Sequence, residues 1–176
     1  MIKSCRVLAA LMLLIIFTLT PAARPFATPA TADFSLRSLN GGTVSAGSLR
    51  GKVVVLAFGA SWLPISRPHA QAVQKVADKY GARGVEVFWV STDSDSNKSK
   101  TYASDDQLRE FSRRNGLNVM VLRDPDGVVS KSMGVGEVPA VVIFNREGNM
   151  DGAPILGYDP ESNLADTLAP RLNKLL

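Results

Sequence analysis

Ser66 and His69 lie three residues apart, and His69 is the only histidine in the chain. A hydroxyl and an imidazole can form a nucleophile–base pair. That chemistry also asks for a nucleophile elbow and a third, orienting partner, and neither is evident around these residues. The bland reading of His69 is an ordinary helix histidine. Copper needs several Cys and His ligands, which one histidine cannot supply. Residues 93–97 read DSDSN, which opens like a calcium loop. Its sixth position is Lys98 where the loop needs Gly, and its twelfth is Ser104 where it needs Glu. The segment therefore reads as a solvated loop after a strand. Asp105 and Asp106 suit a helix N-terminus. Lys98, Lys100, Arg113 and Arg114 read as solvated charge. Cys5 is the only cysteine.

The 176 residues suit one domain. With 45% hydrophobic and 20% charged residues, the composition is that of a globular protein. Lys3 and Arg6 precede a run from Val7 to Leu19 that is apolar except for Thr18, and Pro21-Ala22-Ala23 follows. This is the pattern of a secretory signal, residues 1–23, with cleavage expected after Ala22 or Ala23. The alternative is an uncleaved anchor over residues 7–23, although the apolar core is shorter than the roughly 20 residues of a comfortable span. Cys5 stands before that core, so it is a poor lipoprotein acceptor. The expected location is exported, periplasmic or otherwise extracytoplasmic. Without residues 1–23 the formal charge falls from +4 to +2. The pI of 9.4 is then weak evidence for nucleic acid, and no basic stripe interleaved with aromatics is present. The mature chain would hold no cysteine, and a protein without thiols can neither form nor exchange disulfides.

The elements that would position these residues follow in order. Residues 24–32 (RPFATPATA) read as a linker, and 33–176 as the domain. DFSL (33–36) and GGTVSAGSLRGK (41–52) read as a short strand pair and loop. VVVLAF (53–58) is a continuous β-branched run, as in a strand buried on both faces. Ala70, Val73, Val76, Ala77 and Tyr80 fall at helical spacing, with Gly81 as the cap. VEVFWVS (85–91) is a strand, 105–116 a helix, and NVMVL (118–122) a strand. DPDG (124–127) is a turn. PAVVIFN (139–145) and MDGAPILGY (150–158) read as a hairpin around REGN. A helix over 160–176 closes the chain. Strands alternating with helices imply an α/β domain with parallel strand pairs.

This order and its motifs resemble the thioredoxin-like superfamily. More narrowly they are similar to the TlpA/ResA-type exported thiol-disulfide oxidoreductases, related to the AhpC/TSA redoxins. The resemblance runs over roughly residues 33–174. It is carried by Phe34-Ser35-Leu36, by Ser48 to Lys52, by VVVLAFGASWLPISR (53–67), by Val90-Ser91-Thr92-Asp93, by Asp124 to Gly127, and by Gly134 to Pro139. It implies a thioredoxin fold: a central mixed β-sheet with helices on both faces and an N-terminal strand-pair extension.

The departures are specific. Where the resemblance calls for a nucleophilic cysteine at a helix N-terminus, the chain has Leu63. Where it calls for a resolving cysteine, the chain has Ser66. Position 57, often polar or acidic in the family, is Ala57, and position 59, commonly Trp, is Gly59. Trp62 and Pro64 remain, with Pro64 expected in the first helical turn. Pro68 is expected to weaken or kink the helix start. Val138-Pro139 stands where the family has a cis-proline that presents backbone to an extended peptide.

The expected function is therefore a redox-inactive exported protein that binds a protein or peptide through Trp62, Pro64, Val138 and Pro139. Leu63 and Ser66 would be degenerate redox positions with no catalytic role. Neither a cofactor nor a metal is expected, and an envelope protein or peptide is the expected partner. Membrane contact would come only through an uncleaved N-terminal segment. The competing reading is a thiol-disulfide oxidoreductase that works with a partner's cysteines. A third is a domain kept for assembly with a redox-active paralogue.

Overall fold

A computed structural model describes residues 33–176. The expected signal or anchor, the linker and Cys5 lie outside the described residues. Strand β1 (Ser35–Ser38) and strand β2 (Thr43–Ser45) lead through a 3-10 turn (Ala46–Leu49) into β3 (Val53–Gly59). Helix α1 (Ser66–Tyr80), β4 (Val85–Ser91), α2 (Asp105–Arg114) and β5 (Met120–Arg123) follow. Helix α3 (Val128–Ser132), β6 (Ala140–Phe144), β7 (Ile155–Leu156) and α4 (Leu164–Leu175) complete the chain. The seven strands form one sheet in the order β2-β1-β5-β4-β3-β6-β7. The β5-β4-β3 core is parallel and the outer pairs are antiparallel. This is the α/β thioredoxin-like architecture implied by the motifs, with the N-terminal strand pair joined to the sheet through β1 and β5.

Every residue of β3 is buried. Its alternate side chains enter two separate cores, which is why the run is apolar without interruption. Val53, Val55 and Ala57 pack with α1, α4 and Leu108 of α2. Val54, Leu56 and Phe58 pack under Phe34, Leu49, Met133 and Val135. Among the described residues no helix is long and apolar enough to cross a membrane.

Local rules were overridden in four places. Gly81 is helical (φ −56°) and starts a 3-10 turn; the left-handed stop is Gly84 at φ 94°. The last hairpin strand is cut to two residues. Met150 still bridges to Phe144, but Gly152 takes φ 71° and Pro154 has no N–H to give a ladder. The excursion is held by Arg171, which donates to Asp151 at 2.9 Å and to the Ala153 carbonyl at 3.1 Å. The DPDG turn does not end in loop but feeds α3, whose five residues are too few for periodicity to show. Asp124 accepts from the Val129 and Ser130 amides at 3.1 and 2.8 Å. Finally, α4 begins at Leu164, where Asn163 caps the Ala165 amide.

Candidate active site, without its sulfur

The loop from Ala60 to Ile65 connects β3 to α1 at the C-terminal end of the parallel strands. Its turns are local: the Leu63 amide donates to the Ala60 carbonyl at 3.4 Å, and the Ser66 amide to the Leu63 carbonyl at 3.0 Å. Helix α1 therefore starts at Ser66, so Pro64 lies in the preceding turn, outside the first helical turn where the sequence had placed it. Pro68 is the third residue of α1. Its missing N–H is one of the four that a helix start leaves unpaired in any case, so nothing at this position breaks the ladder.

The side chains divide by exposure. Trp62 is 54% exposed and Pro64 is exposed. Leu63 is half-buried, and Ser66 is 2% exposed. The Ser66 hydroxyl donates to the Ala60 carbonyl, so it closes the loop on itself. The Val138–Pro139 peptide bond is cis and both residues are half-buried. Phe58 of β3 pairs with Ala140 of β6, which sets residues 138–139 beside the start of the loop. The Pro139 carbonyl accepts from the Gly157 amide at 2.8 Å. The sheet thus gathers Trp62, Leu63, Pro64, Ser66, Val138 and Pro139 at one end.

Asp93 stood in the sequence as the end of the Val90-Ser91-Thr92-Asp93 motif and the start of a solvated loop, and the structure gives it a specific task. It is fully buried, and its carboxylate accepts from the Ser61 amide at 3.0 and 2.9 Å, from the Ser61 hydroxyl at 2.6 Å and from the Ser91 hydroxyl at 2.8 Å. The Thr92 amide adds a bond to the Gly59 carbonyl at 2.9 Å. Together these bonds clamp the loop to the end of β4. Ser104, the twelfth position of the supposed calcium loop, is the N-cap of α2 in a reciprocal box with Gln107. Among the described residues no group of three or more His, Cys, Asp or Glu is placed to hold a metal.

Beneath the loop sits Trp89, which sequence reasoning passed over as a strand aromatic. It pairs in register with Ala57. A Cβ added to Gly59 would lie 2.4 Å from Trp89 Cζ2, closer than any real contact allows. The small residues at 57 and 59 are thus the footprint of one indole, which fills the core behind the site. His69, 1% exposed, packs on Trp89 at 5.0 Å and on Tyr158 at 5.1 Å between ring centroids. Phe111 closes the far side of Trp89 at 5.8 Å. Burial pushes the His69 pKa down to about 4, so the ring is neutral near pH 7. His69 Nδ1 and Trp89 Nε1 are buried without a hydrogen-bond partner. Since the Ser66 hydroxyl points to Ala60, Ser66 and His69 form no nucleophile–base pair.

Three comparisons place this geometry. The AhpC/TSA family model matches residues 28–152. The thioredoxin-like protein YneN of Bacillus subtilis is 28% identical over 116 residues, which cover 66% of this chain and 64% of YneN. The aligned part therefore spans less than two thirds of that relative. Among solved structures, MTB DsbF in mixed oxidized and reduced forms superposes with a TM-score of 0.67 at 27% identity, covering 85% of this chain and 99% of that one. The exposed lipoprotein thioredoxin Etrx1 of Streptococcus pneumoniae gives 0.61 at 25% identity, covering 82% and 100%. A secreted Mycobacterium tuberculosis disulfide oxidoreductase, at 24% identity and a TM-score of 0.62 over 84% and 100% of the two chains, shares the fold. With its loop, its Val138–Pro139 corner and its sheet order in this setting, the chain belongs to the AhpC/TSA family of thioredoxin-like proteins, the superfamily of the thiol-disulfide oxidoreductases.

Proposed function

We propose that this protein is a redox-inactive, extracytoplasmic member of its family that binds a protein or peptide with the former active-site surface. One observation carries the reading. The positions of the two redox cysteines hold Leu63 and a buried, internally bonded Ser66, while Trp62 beside them stays 54% exposed. The chemistry requires a thiolate, and residues 33–176 contain no cysteine. A binding surface requires only exposed apolar anchors on a rigid frame, and the Asp93 clamp supplies rigidity. Exported and surface-exposed proteins among the structural neighbours support the extracytoplasmic location.

The alternative is an oxidoreductase that borrows a partner's cysteines; family membership favours it. Insulin reduction by dithiothreitol separates the two. The purified protein should leave the rate at background, and acceleration without a partner protein would overturn the reading. The double substitution Leu63→Cys with Ser66→Cys tests the frame itself. It should introduce measurable disulfide exchange, since the loop, the start of α1 and the Pro139 corner are in place. A folded double variant that shows none would mean the Trp89-filled core has altered the site.

A further inference from the structure

His69 is a buried ionisable group for which the site above has no task. Its ring packs on Trp89 of β4 at 5.0 Å and on Tyr158 at 5.1 Å between centroids. Among the described residues Nδ1 has no hydrogen-bond partner. A protonated imidazole carries an N–H on both nitrogens, so the charged ring can satisfy Nδ1 only by reaching water.

Tyr158 is the outer wall of this cage, and few contacts hold it. It is half-buried and follows the two-residue strand β7 at the sheet edge. Its hydroxyl donates to the Pro68 carbonyl of α1 at 3.3 Å, a long bond for a hydroxyl. It also lines a surface cleft of about 310 Å³ with Pro68, Lys75, Pro160 and Glu161. The residue before it, Gly157, donates its amide to the Pro139 carbonyl at 2.8 Å. One short segment thus touches the His69 ring with one residue and holds the Pro139 corner with the other.

Burial alone lowers the pKa of the ring. The facing groups are the Trp89 indole from β4 and the Tyr158 phenol from the segment after β7. Burial first, and then the charge of Asp159, raises the Tyr158 pKa, so the phenol stays neutral in acid. On α1 itself, the Ser66 hydroxyl is spent on the Ala60 carbonyl and Arg67 is exposed. Lys75 and Glu161 stand in the cleft. On α4, Asp166 is paired with Lys79 and Arg171 with Asp151. Exposure to the cleft restores the ordinary basicity of the ring, so falling pH favours an opened cage.

We propose that residues 157 and 158 form an acid-released latch on the Pro139 corner. When His69 takes a proton from water, Tyr158 lifts into the cleft and Gly157 leaves the Pro139 carbonyl. The corner loosens while the inner strands stay paired. The latch does not depend on what the corner binds.

Hydrogen–deuterium exchange of the full chain tests it, read at single amides by fragmentation mass spectrometry and corrected for the intrinsic rate at each pH. Protection of the Gly157 amide should fall about 30-fold from pH 6.5 to 4.5. Protection of the Val55 amide in β3 should stay well above it at both pH values. His69→Leu should flatten the Gly157 profile. Tyr158→Phe keeps a ring over His69 and loses the bond to Pro68, so it should lower Gly157 protection at both pH values and keep the slope. A flat Gly157 profile in the unaltered chain would overturn the latch. Gly157 and Val55 exchanging alike at each pH would also overturn it, since the whole fold would then be opening. These two outcomes decide the matter even where His69→Leu fails to fold. An unchanged slope in a folded His69→Leu would assign the proton to another group and overturn the latch as well.

Discussion

Two buried polar clusters lie at the same end of the sheet and are built in opposite ways. Around Asp93 and Asp124 each carboxylate meets donors: Ser61 and Ser91 for one, the first amides of α3 for the other. Around His69 the ring nitrogen Nδ1 and the neighbouring indole N–H of Trp89 have no partner. Both clusters are buried. The difference shows that the frame of the site, which depends on Asp93 and Asp124, is fully satisfied. The interior behind the absent cysteines is filled by volume alone. A buried polar group left unpaired costs about 1–3 kcal/mol, so the second cluster is where the fold has room for improvement.

Breaking the packed cluster should have the largest effect. Gly59→Ala places a Cβ against Trp89, 2.4 Å from Cζ2, and is expected to lower stability by about 4 kcal/mol in urea denaturation. In a Trp89→Leu background the same change should have little further effect. An undiminished penalty there would place the strain elsewhere.

Acid separates the clusters next. The folded-state pKa of His69 lies near 4, below the ordinary 6.5, so the fold favours the neutral ring. Its contribution is complete above about pH 6.5 and is lost progressively as pH falls toward 4, by about 3 kcal/mol in all. His69→Leu should remove that part of the pH dependence of thermal unfolding and leave the carboxylates' part. A profile unchanged between the two proteins would show that His69 is not the group that titrates.

Asp93→Ala breaks the satisfied cluster. It strands the Ser61 and Ser91 donors and relieves a buried charge, for a net loss of about 2 kcal/mol. Hydrogen exchange at the Ser61 amide should accelerate well beyond that global loss, because the clamp is local. The smallest effect belongs to a remote cap: Ser104→Ala should cost about 1 kcal/mol and leave exchange in the loop unchanged.

Much of the frame could be read in the sequence. The β-branched run 53–58, the helical spacing from Ala70 to Tyr80 and the ordered motifs report burial on two faces and the strand–helix alternation, which are local patterns. The site was legible where it depends on chain position, at Leu63, Ser66 and Pro139. It was not legible where it depends on contact across the sheet. Nothing near Gly59 in sequence announces Trp89, thirty positions on; only the parallel register of β3 and β4 brings them together. Asp93 was visible as the last residue of the Val90-Ser91-Thr92-Asp93 motif, but its hold on the loop was not, since Ser61 lies 32 positions earlier and only the fold brings the two together. The late start of β7 at Ile155 follows from Pro154, which was visible in the sequence inside the expected strand 150–158.

The place of β1 in the sheet has a consequence for the time course of folding. Arg37 pairs with Arg123, so the first strand synthesised has as its inner neighbour the strand formed from residues 120–123. A chain delivered from its N-terminus can close β1 only on the hairpin with β2. The inner edge of β1 and the edge of β4 that faces away from β3 must wait for β5, whose arrival joins them in one step. Non-local closure of this kind is slow relative to local hairpins and helices, and until it occurs two unpaired strand edges stand open to other chains. Whatever carries or shields this protein while it is being made has to do so at least until β5 is in hand.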